Sequence, residues 1–191
     1  MNLSIITENY FTSKVNLTPV DHRESLYSTN NYYPTSAKYP IVWEDLEGGS
    51  IKNVSPIVDS GDLSVSEEFA EKVMSFDPYG VEFYPSKLKL YDGNIEKRYL
   101  LAVNNVIDVI DESKSDIEIS PRSGKKIVHS LYISEDKLKN IPLNKRVVFR
   151  VSGIETAMFF CEELFDVVAF ESKFNGLRKS KFNIKDIAPK F

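Results

Sequence analysis

The sequence predicts an α+β protein: a strand-rich mixed or antiparallel sheet with one clear helix at about residues 64–76 and a few short helices. Three observations carry that expectation. From residue 81 onward, short runs rich in Val, Ile, Tyr and Phe alternate with Gly, Pro, Asn and Asp, which punctuate strands. Only residues 64–76 hold a sustained helical apolar period. The composition, 42% hydrophobic with 12 Phe and 10 Tyr, supplies a core and argues against disorder.

The helix opens the well-patterned part of the chain. In LSVSEEFAEKVMSF, Ser64 or Ser66 serves as N-cap, and Glu67 and Glu68 stand in the first turn, where the helix dipole favours acids. Phe69, Val73 and Phe76 recur at i, i+4 and i+7, and Ala70 and Met74 widen the stripe. Asp77-Pro78-Tyr79-Gly80 ends it, because proline cannot continue a helix and glycine tolerates positive φ.

Strands follow in quick succession. VEFYP (81–85) and KLKLY (87–91) precede an Asp92-Gly93-Asn94 turn, whose Asp-Gly suits a tight hairpin into KRYLLAV (97–103). Val106, Ile107, Val109 and Ile110 form a further β-branched segment. DESKSDIEISPRSGKK (111–126) reads as a polar connection, KIVHSLYI (126–133) as a strand and SEDKL (134–138) as a short capped helix. RVVFRVSG (146–153) and TAMFF (156–160) are strands, CEELF (161–165) a helical turn, and VVAFES (167–172) the last core strand.

The N-terminal third is less patterned. YSTNNYYPTSAKYP (27–40) reads as an irregular loop with aromatic anchors, followed by a short strand at IVW (41–43) and a turn at Gly48-Gly49. The expected organisation is a single domain, 1–191: an irregular subregion at about 1–62, an α+β core at about 63–175, and a basic tail that docks as an extension.

Charge and cysteine content exclude several classes. Net charge is −4 and the pI about 5.3, which disfavours nucleic acid as a partner. The charge is uneven. Residues 1–118 carry 10 basic against 20 acidic side chains, and residues 119–191 carry 14 against 8. A basic protein partner suits the first part, since complementary fields steer encounter. One cysteine excludes an internal disulfide framework, and no apolar run approaches a membrane span. With no signal-like start, the expected location is the cytoplasm, without membrane association.

The search for chemistry gives little. His22, His129 and Cys161 lack the spacing of a zinc site, and neither a serine-hydrolase elbow nor a dinucleotide-binding glycine motif occurs. The sequence offers no cofactor and no metal site. Asp108, Asp111, Glu112 and Asp116 gather at the end of a strand, yet a calcium loop starting at Asp108 fails, because Ile110, Glu112 and Ser113 occupy ligand and glycine positions. A small enzyme using buried carboxylates, or Cys161 with His129, stays open as the competing class. A structural adaptor module is a third.

Motif order adds a resemblance. GVEFYP (80–85), YLLAVNNVIDVIDESKS (99–115) and VFRVSGIETAMFFCEELFD (148–166) resemble, in sequence and spacing, immunity protein family eleven of bacterial polymorphic toxin systems. The similarity covers about residues 60–175, and Ala102 and Val103 stand where leucine is more usual. It implies an inhibitor, not an enzyme: an immunity protein that binds and neutralises a cognate toxin domain, such as a nuclease, in interbacterial competition. Under that expectation Asp111, Glu112 and Asp116 are candidate contacts for lysines and arginines of the toxin. A second candidate surface is Trp43 with Glu44, Asp45 and Glu47, an aromatic anchor beside a charged rim, although Trp43 reads slightly better as a core residue. The tyrosines of residues 27–39 are a third.

Overall fold

In the computed structural model, which describes residues 3–8, 17–19, 40–45, 54–59, 63–170 and 177–182, two sheets enclose the main core. The six-stranded sheet has the order β2 (Leu17–Pro19), β3 (Ile41–Asp45), β6 (Val81–Lys89), β7 (Ile95–Val103), β5 (Leu63–Ser66), β4 (Ile57–Asp59). All its pairings are antiparallel except β3 with β6. The five-stranded sheet runs β13 (Leu177–Phe182), β1 (Leu3–Glu8), β12 (Ile154–Cys161), β11 (Val148–Val151), β8 (Val106–Ile107). A separate hairpin joins β9 (Asp116–Ile119) to β10 (Lys126–Ser130). The α+β expectation holds.

Helix α1 (Glu67–Met74) begins where Ser66 Oγ accepts the Phe69 N–H at 3.3 Å, so Ser66, not Ser64, is the cap. Leu63–Ser66 ahead of it is a buried strand instead of helix, paired with β7 from Leu63↔Leu101 to Ser66↔Arg98. Met74 is exposed, so the buried stripe of α1 is Phe69, Ala70 and Val73. The segments expected as two strands, 81–85 and 87–91, are one strand, β6. Proline is tolerated at Pro85 because pairing to β3 begins only at Ser86, leaving that side of β6 open at the ring.

Two further expectations are corrected. Residues 167–170, expected as the start of a strand over 167–172, belong instead to helix α4 (Glu162–Phe170); 171 and 172 lie outside the described residues. An apolar run of this length fits either state, and the acids Glu162 and Glu163 in the first turn favour helix. The polar connection 111–126 contains β9, whose D-I-E-I alternation is a strand pattern. The basic tail contributes β13, an edge strand along β1. Short helices α2 (Glu135–Lys139) and α3 (Leu143–Arg146) complete the elements.

Strand alternation sorts the core into three layers. Leu101, Val103, Val148, Phe160 and Cys161 face inward between the sheets, packed with Phe69, Val73 and Leu164 of the helices. Their neighbours turn outward. Leu100 joins Ile41, Trp43 and Leu88 on the far face of the large sheet, and Phe149 and Phe159 join Val109, Leu131, Ile133 and Leu138 on the far face of the small one. Strands buried on both faces read as continuous apolar runs, as LLAV (100–103) and VVF (147–149) do.

Buried polar groups lock these layers. Arg98, fully buried, donates from Nε to Ser64 Oγ at 2.9 Å, from Nη1 to Glu96 at 3.1 Å, and from Nη2 to the carbonyls of Ser55 and Ser64 at 2.9 Å each. Asn105 donates to the carbonyls of Lys145 at 2.6 Å and Val148 at 3.0 Å, tying the end of β7 to β11. Gly80, at φ +66°, lets the backbone pass this junction: a Cβ there would lie 3.1 Å from Asn105 N.

Candidate functional site

The acidic segment after β8 is held as a structured rim. Asp111 N donates to the Tyr132 carbonyl at 2.8 Å, and the isolated bridge Ile110↔Ile133 fixes the same region. The Asp111 side chain turns back on its own loop. It accepts Ser113 N at 3.2 Å, Ser113 Oγ at 2.6 Å and Lys114 Nζ at 2.7 Å. Lys114 first, then Ser113, holds the Asp111 carboxyl below its ordinary range. Glu112 projects outward, 61% exposed, and pairs with Lys126 of β10 at 2.6 Å. Asp116 opens β9; its backbone N–H donates to Ser130 Oγ at 3.2 Å, and its exposed carboxylate has no partner among the described residues. Glu118, also exposed, contacts His129 Nε2 at 3.2 Å.

A cleft of about 360 Å³ lies beside this rim, lined by Asp111, Lys114, Tyr132, Ile133, Ser134, Glu135 and Asp136. Its acids outnumber its lysine. Glu135, at the start of α2, is drawn down to about 2, chiefly by Lys139 one turn on at 2.8 Å. Most of these acids are already paired within the chain: Asp111 with Lys114, Glu112 with Lys126 and Glu135 with Lys139. Among the described residues no group of three or more His, Cys, Asp and Glu side chains is placed to hold a metal ion.

The second candidate surface is corrected by burial. Trp43 is 2% exposed and packs with Ile41, Val58, Leu88, Leu90 and Leu100. Residues Ile41, Trp43 and Asp45 share the buried face of β3, on the far side of the large sheet, so the indole is a core residue and Asp45 is buried with it. Glu44 faces the other way and pairs across the parallel ladder with Lys89 at 2.8 Å. Of the group named from the sequence, only Glu44 reaches the surface among the described residues. Glu47 and the tyrosines of 27–39 lie outside those residues.

Cys161 and His129 are not brought together in one pocket. Cys161 is wholly buried in the layer between the sheets, and burial pushes its thiol up to about 12. His129 stands on the exposed hairpin, bonded to Glu118. No helix among the described residues is long and apolar enough to cross a membrane.

The profile of the immunity protein family (Imm11) matches residues 33–182, about four fifths of the chain. The chain belongs to this family. Comparison with curated proteins gives no match. Imm11 membership supports a role in immunity and toxin inhibition, and suggests a non-enzymatic one.

Within this Imm11 protein, sequence reasoning missed the hairpin that carries Asp116. The available signal was DIEI (116–119) facing KIVHS (126–130) across a Gly124 turn. Arg98 and Asn105 gave no such signal, because nothing local in a strand run shows that a polar side chain turns inward to serve carbonyls forty residues away.

Proposed function

We propose that this protein protects a bacterial cell by binding a cognate toxin domain and occluding it stoichiometrically, contributing no chemistry of its own. Membership of the Imm11 family carries the reading. The toxin is a cytoplasm-acting effector of a polymorphic system, a nuclease being the simplest case, since such domains present basic surfaces that the acidic half of this chain complements. The contact surface is the rim of Glu112 and Asp116 with the adjoining acidic cleft, which Asp111 lines while its bonds to Ser113 and Lys114 shape the loop. The interface is expected to bury roughly 1,600 Å² or more in total, the size of a stable inhibitor complex.

Two measurements test this. Affinity purification of the tagged chain from its native host should bring down one stoichiometric partner with a toxin-like C-terminal domain. Reversing Glu112 and Asp116 to lysine should then slow association by about tenfold and flatten its dependence on salt, with the fold intact. Unchanged association and salt dependence would move the contact surface elsewhere. Purification of the chain alone, from cells producing the neighbouring gene product, would count against inhibition itself.

A further inference from the structure

The hairpin β9–β10 is a two-stranded sheet, and no third strand among the described residues pairs with β9. The phase of its hydrogen bonds says which groups face outward. Ser120 donates to the Lys125 carbonyl at 2.9 Å and accepts from Gly124 N at 2.9 Å, so Ser120 bonds inward. Antiparallel pairing alternates, and Ile119 opposes Lys126 while Glu118 opposes Ile127. Glu118 therefore bonds inward, and Ile117 and Ile119 point their N–H and C=O groups away from β10. This edge carries four backbone groups over three residues that have no backbone partner among the described residues.

Side chains on the edge alternate as strictly as its backbone. Ile117 is half-buried against the layer of Val109, Leu131 and Phe159, and Ile119 extends the same row into solvent at 55% exposure. Asp116 and Glu118 occupy the opposite face. Glu118 contacts His129 Nε2 at 3.2 Å, while Lys114 is engaged with Asp111 and Lys126 with Glu112. A second copy of this chain is a poor occupant. Antiparallel pairing of β9 with itself centred on Ile117 sets Asp116 across from Glu118, and centred on Glu118 sets that residue across from its own copy; like charges directly opposite destabilise a ladder.

From the open edge and this alternation, we propose that an extended segment of the partner adds to β9 as a third strand, its side chains alternating basic and apolar. Basic residues lie across from Asp116 and Glu118; apolar residues lie across from Ile117 and Ile119. Main-chain bonds give the affinity and the alternation sets register, as in other strand-addition complexes. The identity of that segment as part of a toxin domain rests on the immunity reading above; its chemistry rests on β9.

The test uses hydrogen exchange and binding on the full chain. Two probes serve: the toxin domain recovered by co-purification, and a capped octapeptide alternating lysine and valine, with a glutamate–valine peptide as control. Both the toxin domain and the lysine–valine peptide should slow exchange at the Ile117 and Ile119 amides by tenfold or more and leave Glu118, already bonded, nearly unchanged. Ile119→Pro removes an outward donor without touching a hairpin bond, and should weaken both complexes at least tenfold. The double variant Asp116→Lys/Glu118→Lys should reverse the preference, binding the glutamate–valine peptide instead. Should the toxin domain bind while those amides exchange as in the free chain, strand addition is overturned and inhibition stands. Should no toxin domain be recovered, inhibition falls, and the peptide measurement alone decides β9: no protection and no charge-swapped preference overturns the inference.

Discussion

Replacing Arg98 with methionine should be among the most damaging single changes to this protein, and the reason is visible in its surroundings. The guanidinium is fully buried and satisfies Ser64 Oγ and the carbonyls of Ser55, Pro56 and Ser64 while neutralising Glu96. Methionine fills much of the volume but donates nothing. The carbonyls before β4 lose charged donors, and Glu96, whose carboxyl burial already pushes above its ordinary range against the pull of Arg98, is left without its counter-charge. Breaking a buried pair from one side costs about 3–5 kcal/mol, against a total stability of roughly 5–15 kcal/mol for a domain. With a urea slope of about 2 kcal/mol/M, the unfolding midpoint should fall by about 2 M. A pH signature should accompany the loss. An acid whose folded pKa is raised binds its proton more tightly folded than unfolded, so it favours the folded state below the ordinary glutamate range and loses that contribution as pH rises through the folded value. In Arg98→Met the folded value rises further, so the penalty should shrink on acidification as Glu96 takes up its proton. Glu96→Gln in the same background should recover part of the loss at neutral pH and abolish that shrinkage. A midpoint shift below about 0.5 M, or a penalty independent of pH in both variants, would refute the account of Arg98 as a buried clamp.

Other perturbations separate core from surface. Trp43→Ala should cost about 3–5 kcal/mol in chemical denaturation, as expected for a large core aromatic; a loss of toxin affinity with unchanged stability would instead make Trp43 a contact. Gly80→Ala, at positive φ with its Cβ against Asn105, should destabilise by about 1–3 kcal/mol, whereas Gly93→Ala, at φ +86° with open space around it, should cost only the backbone part, which thermal melts resolve. Cys161 should react with a thiol reagent roughly a hundredfold more slowly in the native chain than in the urea-unfolded one, and equal rates would contradict its burial.

Much of the local structure is written in neighbouring residues. The cap at Ser66, the acids of the first turn and the spacing of Phe69 and Val73 place α1 within a few residues, and Asp92-Gly93 places the β6–β7 hairpin. The motif order from Gly80 to Asp166 was enough to recognise the Imm11 family, which the comparison bears out. Short apolar runs were less legible. VVAF (167–170) is compatible with a strand or a helix until its neighbours are known, and it is helix.

The candidate surface shows where local reading stops. Asp111, Glu112 and Asp116 look alike as a string of acids, yet one closes a turn, one pairs with a lysine of another strand and one stands free among the described residues. Trp43 and Glu44 are adjacent in sequence and face opposite sides of β3. The sequence alone determined helix α1, the β6–β7 hairpin, the acidic bias and the family, because those depend on periodicity, turn residues, composition and motif order along the chain. Only the tertiary structure decided which charged groups are spent on one another and which sheet edge stays open among the described residues, because pairing between β9 and β10, or between Arg98 and the carbonyls before β4, depends on where distant segments meet.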